Sequence, residues 1–368
     1  MQIADFALER YFARWEFAAR YVLCASDVEP VGMHELLAMA DPDARSRWAD
    51  LRLGYTESLG LPALRAEIAA LYDGLTTDDV ITFAGAEEGV FLGMHALLGA
   101  ADHAVVVWPA YQSLYEVARS IGASVTFVPL HPRGWTLDVD AVAAAMRPNT
   151  KVIVINFPHS PTGAQLEPAQ FDRLVTIAEL HGAHLWSDEV YRFLEHDAAS
   201  LPPAAACSDR GVSLGVMSKA FGLAGVRVGW VATRDKALRT RLAALKDYTT
   251  ICNSAPSEVL ALIALRARTA LVDRAQTILR GNIAILDEFF ARNGDRFAWT
   301  RPRAGSVCFP TLIGHDVDAF AARLVEEEGV LLLPASQFAY AGNNFRLGFG
   351  RRDMQQGLAR LEQFARTH

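Results

Sequence analysis

From Val80 onward, short runs of β-branched and apolar residues alternate with longer stretches in which apolar positions recur every three or four residues. The runs are Val80–Phe83, Ala104–Trp108, Val125–Pro129, Val152–Asn156, His184–Asp188 and Val212–Met217. Near-continuous apolar runs separated by helical stretches predict a parallel sheet, covered on both faces through right-handed crossovers. Val226–Thr233 follows the sixth run too closely for a crossover, so it is predicted to be the antiparallel member.

Ahead of the sheet, Phe6, Tyr11, Phe12, Trp15, Ala18, Ala19 and Val22 have helical spacing and predict a helix over Asp5–Tyr21 that lays one face on the rest of the chain. An irregular connection (Leu23–Pro30) and a second helix (Met33–Met39) follow. In Leu53–Arg65, turns at Gly54 and Gly60 precede a helix with Pro62 in its first turn. Gly85 opens a helix that runs through Leu98. Ser257–Asn293 is the longest proline-free helical stretch, with a bend expected near Gly281. Val307–Thr311, Val330–Pro334 and Phe345–Gly350 are predicted as late strands.

The chain has 368 residues, 51% apolar and 21% charged, which suits a globular protein with two substantial cores. Its net charge of −7 and lack of a basic block argue against nucleic acid as a partner. No apolar run approaches the roughly 18–20 residues that span a bilayer. Met1–Asp5 has neither the basic region nor the apolar core of a signal peptide, so the cytoplasm is the expected location. Cys24, Cys207, Cys252 and Cys308 are scattered without C-x-x-C pairs, which argues against a zinc site or a disulfide framework.

The candidate chemistry centres on Met217–Trp230. Lys219 ends an apolar strand and is followed by Gly222, Gly225, Arg227 and Gly229. An ammonium at such a place is costly unless it can shed its proton or find a partner. Glycine lets backbone approach a ligand closely, and arginine offers a fixed fork for phosphate. The glycine spacing is not G-x-G-x-x-G and follows a lysine, so a dinucleotide site does not fit.

With these residues the segment resembles the lysine motif of the class I/II pyridoxal-phosphate aminotransferases, of fold type I. The resemblance implies that Lys219 carries the cofactor as a Schiff base and that Arg227, eight residues later, grips its phosphate. Ser218 adjoins the lysine, and Val216 stands where many members place a phosphate-binding Ser or Thr. Other matches follow in order. Gly85, Ala86 and Glu87 open a helix that would seat the phosphate, and Tyr111 would stack on the pyridine. Asp188 would hold the pyridine nitrogen protonated, and Tyr191 would donate to the 3′ oxygen. Arg346 would bind the substrate α-carboxylate. Phe157–Gly163 resembles the family's N-P-x-N-P-T-G loop, but Ser160 replaces the asparagine that donates to the 3′ oxygen. This is the largest departure in the chain. The family also implies cis bonds at Trp108–Pro109 and Ser160–Pro161.

The implied architecture is α/β, with a mostly parallel seven-stranded sheet between helices and a smaller α/β C-terminal domain. Residues 1–45 would form an arm and part of the small domain, 46–270 the large cofactor-binding domain and 271–368 the small domain. The implied assembly is a homodimer, with Tyr55, and with it Ser254, completing the neighbouring site. The implied reaction is transfer of an α-amino group from an amino acid to a 2-oxo acid. Oxidation, cyclisation, elimination or decarboxylation on the same cofactor is the alternative. A regulatory relative is disfavoured by the intact Lys219, Asp188 and Arg227. Finally, Glu16 and Asp27 resemble an acidic pair with which arginine-oxidising relatives hold a guanidinium; the plain alternative is a solvated helix face and a cap.

Overall fold

The computed structural model describes residues 2–367. Its main sheet has the order Val80–Phe83, Gly229–Ala232, Gly211–Val216, His184–Asp188, Thr150–Asn156, His103–Trp108, Ser124–Pro129. Gly229–Ala232 runs antiparallel to both of its neighbours. The other pairings are parallel. The alternation of side chains explains why these runs read as continuously apolar. Val105, Val107, Ile153 and Ile155 pack on one face against Phe171 and Leu174. Ala104, Val106, Val152 and Val154 pack on the other against Val90 and Leu114. Both faces are thus buried, and each large apolar side chain among them contributes about 1.5–3 kcal/mol.

A second group of short strands places Phe345–Gly348 between Val307–Cys308 and Leu333–Pro334. The first two predicted late strands are each broken. Val307–Thr311 divides at Phe309–Pro310, and Thr311–Leu312 pairs instead with Phe297–Ala298. Val330–Leu331 pairs in parallel with Tyr21–Val22, whereas Leu333–Pro334 pairs with Phe345–Arg346. The N-terminal segment therefore belongs structurally with the C-terminal elements.

That pairing shortens the first helix. It covers Ala7–Trp15 rather than Asp5–Tyr21, because Tyr21 is drawn into the strand, where its N–H donates to Gly329 O at 3.0 Å. Gly281 does not bend its helix. The break falls at Ala267, between Ala255–Arg266 and Arg268–Arg292. Ala267 has non-helical backbone (φ −93°, ψ 14°), whereas a β-carbon at Gly281 would face open space, so nothing forces a kink there. Of the two expected turn glycines, Gly60 has φ 108°, while Gly54 sits in a bend without left-handed backbone.

Candidate active site

A cavity of about 420 Å³ opens at the carboxyl ends of Thr150–Asn156, His184–Asp188 and Gly211–Val216, where ligands of such sheets sit. Asn156, Asp188, Tyr191, Lys219, Arg227 and Arg346 all line it.

Asp188 closes its strand in a buried position, with Val190 N–H donating to Oδ1 at 3.2 Å. Burial pushes its pKa up to about 7, against the pull of that N–H and of Lys219. Lys219 Nζ lies 5.6 Å from the centre of the Tyr191 ring and donates to Ser26 Oγ at 2.7 Å. Arg227 has left-handed backbone (φ 55°), and its Nη1 donates to Ala224 O at 3.0 Å. The helix Ala86–Leu97 starts against this arginine. A β-carbon at Gly229 would come within 2.6 Å of Ala86 N, so glycine there lets the strand meet the helix start. Free N–H groups at that start, together with Ser218 and Arg227, make a seat for an anion. Glu87 is the exception in charge. Ser113 Oγ donates to its carboxylate at 3.0 Å, and burial pushes its pKa up to about 7.

Ser160 and the loop it belongs to are held by a residue that the motif reading passed over. Asn156 Oδ1 accepts from Ser160 N–H and Asn156 Nδ2 donates to Asp188 O, both at 2.9 Å. The one signal in the sequence is a polar residue closing the apolar run Val152–Ile155. Trp108–Pro109 and Ser160–Pro161 are cis as expected, and Phe157–Pro158 is a third.

The N-terminal helix forms the outer wall through Leu8, Glu9 and Phe12, with Glu16 just beyond its end. Arg346 lies beneath it, 2% exposed, with Nε donating to Cys24 O at 3.0 Å and with the Phe12 and Phe338 rings 5.7 and 5.6 Å away. Among the described residues its guanidinium is in no ion pair. A buried cation without a carboxylate beside it is costly to keep. Glu16 has a raised pKa, first from burial and then from Asp27 and Glu9. Asp27 also lines the cavity, but both its oxygens are already 2.9 Å from Arg351 Nη2. The expected acidic pair is therefore unequal, and Glu9 joins it. Tyr55 stands apart, 91% exposed and away from this cavity.

The donor set fits pyridoxal phosphate. A buried strand-end carboxylate suits a pyridinium, the helix start and Arg227 suit a phosphate, and Lys219 opens into the same cavity. Val216 contributes only an apolar wall.

Fold and site together define a pyridoxal-phosphate enzyme of fold type I. The chain belongs to the aminotransferase class I and II family, whose model matches residues 38–361. It is 34% identical to capreomycidine synthase from Streptomyces vinaceus over 95% of this chain and 92% of that one. A PLP-dependent aminotransferase from Streptococcus suis superposes with a TM-score of 0.94 at 30% identity, covering 100% and 99% of the two chains. The PLP-dependent cyclase OrfR superposes with a TM-score of 0.92 at 29% identity, covering 100% and 98%. Among the described residues no helix is long and apolar enough to cross a membrane.

Proposed function

We propose that this enzyme opens the Cα–H bond of a basic amino acid and closes a side-chain nitrogen onto the neighbouring carbon. The observation that carries the substrate class is Glu16, with Glu9 and the Arg351-paired Asp27 near it, in the same cavity as Arg346. An α-carboxylate answers the unpaired arginine, and a guanidinium or ammonium would offset the burial, and after it the Asp27 and Glu9 charges, that raise the Glu16 pKa. Pyridoxal phosphate, when bound, supplies an electron sink that makes the Cα proton acidic. Lys219 takes that proton as a neutral amine and returns it. Asp188, ionised beside a cation, keeps a proton on the ring nitrogen. For ring closure, a leaving group departs from the neighbouring carbon with one proton. A side-chain N–H nitrogen bonds in its place and gives up its own proton, so the reaction is a net substitution without oxidation.

The closure reading is supported by the near full-length similarity to a capreomycidine synthase and to a cyclase. Transfer of the amino group to a 2-oxo acid is the second reading, favoured by the family and by the Streptococcus suis aminotransferase. In either case the enzyme works as a homodimer, with the exposed Tyr55 reaching the neighbouring site.

The test titrates the holoprotein with arginine, ornithine, their 3-hydroxy derivatives, glutamate and phenylalanine, with and without pyruvate, and follows cofactor spectra and product masses. The basic amino acids should shift the spectrum at the lowest concentrations, and Glu16→Gln and Asp27→Asn should weaken that response while the cofactor is retained. A stable product one water lighter than its 3-hydroxy substrate, with no ammonia or 2-oxo acid released, marks closure; a new 2-oxo acid formed only with pyruvate marks transfer. Tighter response to glutamate or phenylalanine defeats the substrate reading.

A further inference from the structure

The loop that follows the first short strand borders the cavity through Ala25, Ser26 and Asp27. Its backbone is fixed on several sides. Gly348 N–H donates to Leu23 O at 2.6 Å, Glu29 N–H to Gly350 O at 2.8 Å, and Val31 N–H to Gly222 O at 3.0 Å. Ser306 Oγ donates to the Ser26 carbonyl at 2.6 Å. A β-carbon at Gly348 would strike the Ala25 carbonyl, and one at Gly350 would come within 2.5 Å of the Asp27 carbonyl. The loop therefore lies flat on the last strand and the residues just beyond it. Ser26 is presented from this anchored backbone, and its hydroxyl meets Lys219 Nζ at 2.7 Å.

We propose that Ser26 is a positioning residue for Lys219 in the stages when the lysine is not bonded to the cofactor. A free lysine amine swings on a long, rotatable stem and loses much of its aim. An acceptor on a rigid loop captures one N–H and directs the remaining lone pair toward the cofactor and the substrate Cα. Both steps that need this aim use the same atom. One is capture of the cofactor, for which Lys219 Nζ would supply the amine and from which water would leave. The other is removal of the α-proton, which passes to Nζ. On either side of Ser26, Asp27 is held by Arg351 and the Cys24 carbonyl by Arg346, so the loop that aims the lysine also frames the substrate carboxylate.

The inference rests on Lys219 being the cofactor lysine, as in the proposed function. The full-length holoprotein and its Ser26→Ala and Ser26→Thr variants are stripped with hydroxylamine and reloaded with pyridoxal phosphate. The rate of covalent capture is read from absorbance, and exchange of the Cα proton of arginine with deuterium oxide is followed separately. Alanine spares the backbone carbonyl bonded by Ser306 and removes only the hydroxyl. The expected result is capture and exchange slowed on the order of tenfold or more in Ser26→Ala, with KM for the amino acid little changed, and recovery in Ser26→Thr. Parental rates in Ser26→Ala, or equal slowing in both variants, would overturn the proposal. Borohydride trapping followed by peptide mass keeps the two readings separate, since a modified lysine other than Lys219 defeats the site assignment itself.

Discussion

Tyr111 donates its phenolic hydrogen to Glu9 Oε1 across 2.7 Å, tying the aromatic wall of the cavity to the N-terminal helix. Gln112 strengthens the tie, accepting from Ala7 N–H at 2.9 Å and donating to Asp5 O at 2.8 Å. The phenol stays a donor at any working pH, because burial first, and then the Glu87 and Glu9 carboxylates, push its pKa up. The helix therefore closes over the cavity through contacts made by this chain alone.

Replacing Glu9 with alanine should loosen that closure without unfolding the protein. The Glu9 side of the bond is exposed while the phenol is partly buried, so the loss of global stability is expected to be about 1 kcal/mol. Amide hydrogen exchange over residues 7–15 should quicken, and binding of a basic amino acid should weaken. Unchanged exchange would show that the apolar face and the Gln112 bonds hold the helix without Glu9.

Arg346→Lys should separate substrate binding from cofactor binding. The lysine keeps a charge but loses the planar fork that matches a carboxylate, and truncating one side of a buried charge pair costs about 2–5 kcal/mol. Spectral titration should show at least tenfold weaker binding of every amino acid tested, with the cofactor retained. Equal affinity in the variant would move the α-carboxylate to some other residue.

Asp188 gives the cofactor-free protein a characteristic pH response. Its folded pKa is pushed up to about 7 by burial, above that of an unfolded chain. Between the ordinary carboxylate range and about pH 7, the folded state thus holds the proton more tightly than the unfolded state. Stability must then fall as pH rises through this window, by up to about 1.4 kcal/mol per pH unit. Thermal melts of stripped protein at pH 5 and pH 7.5 should show a larger drop for the parent than for Asp188→Asn. Parallel melts would place Asp188 in a wetter setting. In the loaded protein the same substitution should nearly abolish turnover.

Ser160→Asn addresses the departure in the 157–163 loop. Asn156 is poorly placed to replace the missing amide, since its side chain already joins Asp188 O and Ser160 N–H. A donor to the 3′ oxygen stabilises its anionic form and so opposes protonation of the neighbouring lysine–cofactor linkage. The absorbance change that reports this protonation should occur at higher pH in the parent than in Ser160→Asn. Identical titrations would mean that the serine, or a water beside it, already supplies the donor.

The sheet is legible in the sequence because its strands are buried on both faces, which leaves unbroken apolar runs such as Ala104–Trp108 and Val152–Ile155 with few competing readings. The motif residues are legible because they flank strands: Asp188 closes one, Lys219 follows one by three residues and Arg227 stands just ahead of one. Ser26, Glu9 and Asn156 are not. Ser26 meets Lys219 across 193 positions of sequence and Glu9 meets Tyr111 across 102, so no local pattern marks either contact. The first helix reads too long for a related reason: Tyr21 and Val22 continue its apolar pattern, yet the distant strand Val330–Leu331 claims them. Gly281 suggests a bend that does not occur, because glycine weakens a helix only by about 1 kcal/mol, which the surrounding turns of a 25-residue helix easily absorb.

The flat seating of the 24–29 loop on Gly348 and Gly350 also sets limits for anyone redesigning this enzyme. Its side chains leave little freedom either, since Cys24, Ala25 and Val28 are buried, Asp27 is paired with Arg351 and Ser26 meets Lys219. Insertions in the loop, or any larger residue at the two glycines, would lift it off its support and displace the Arg346 and Lys219 contacts together. Libraries aimed at new substrates should therefore vary the cavity-lining side chains of the N-terminal helix, and keep the length of both segments constant.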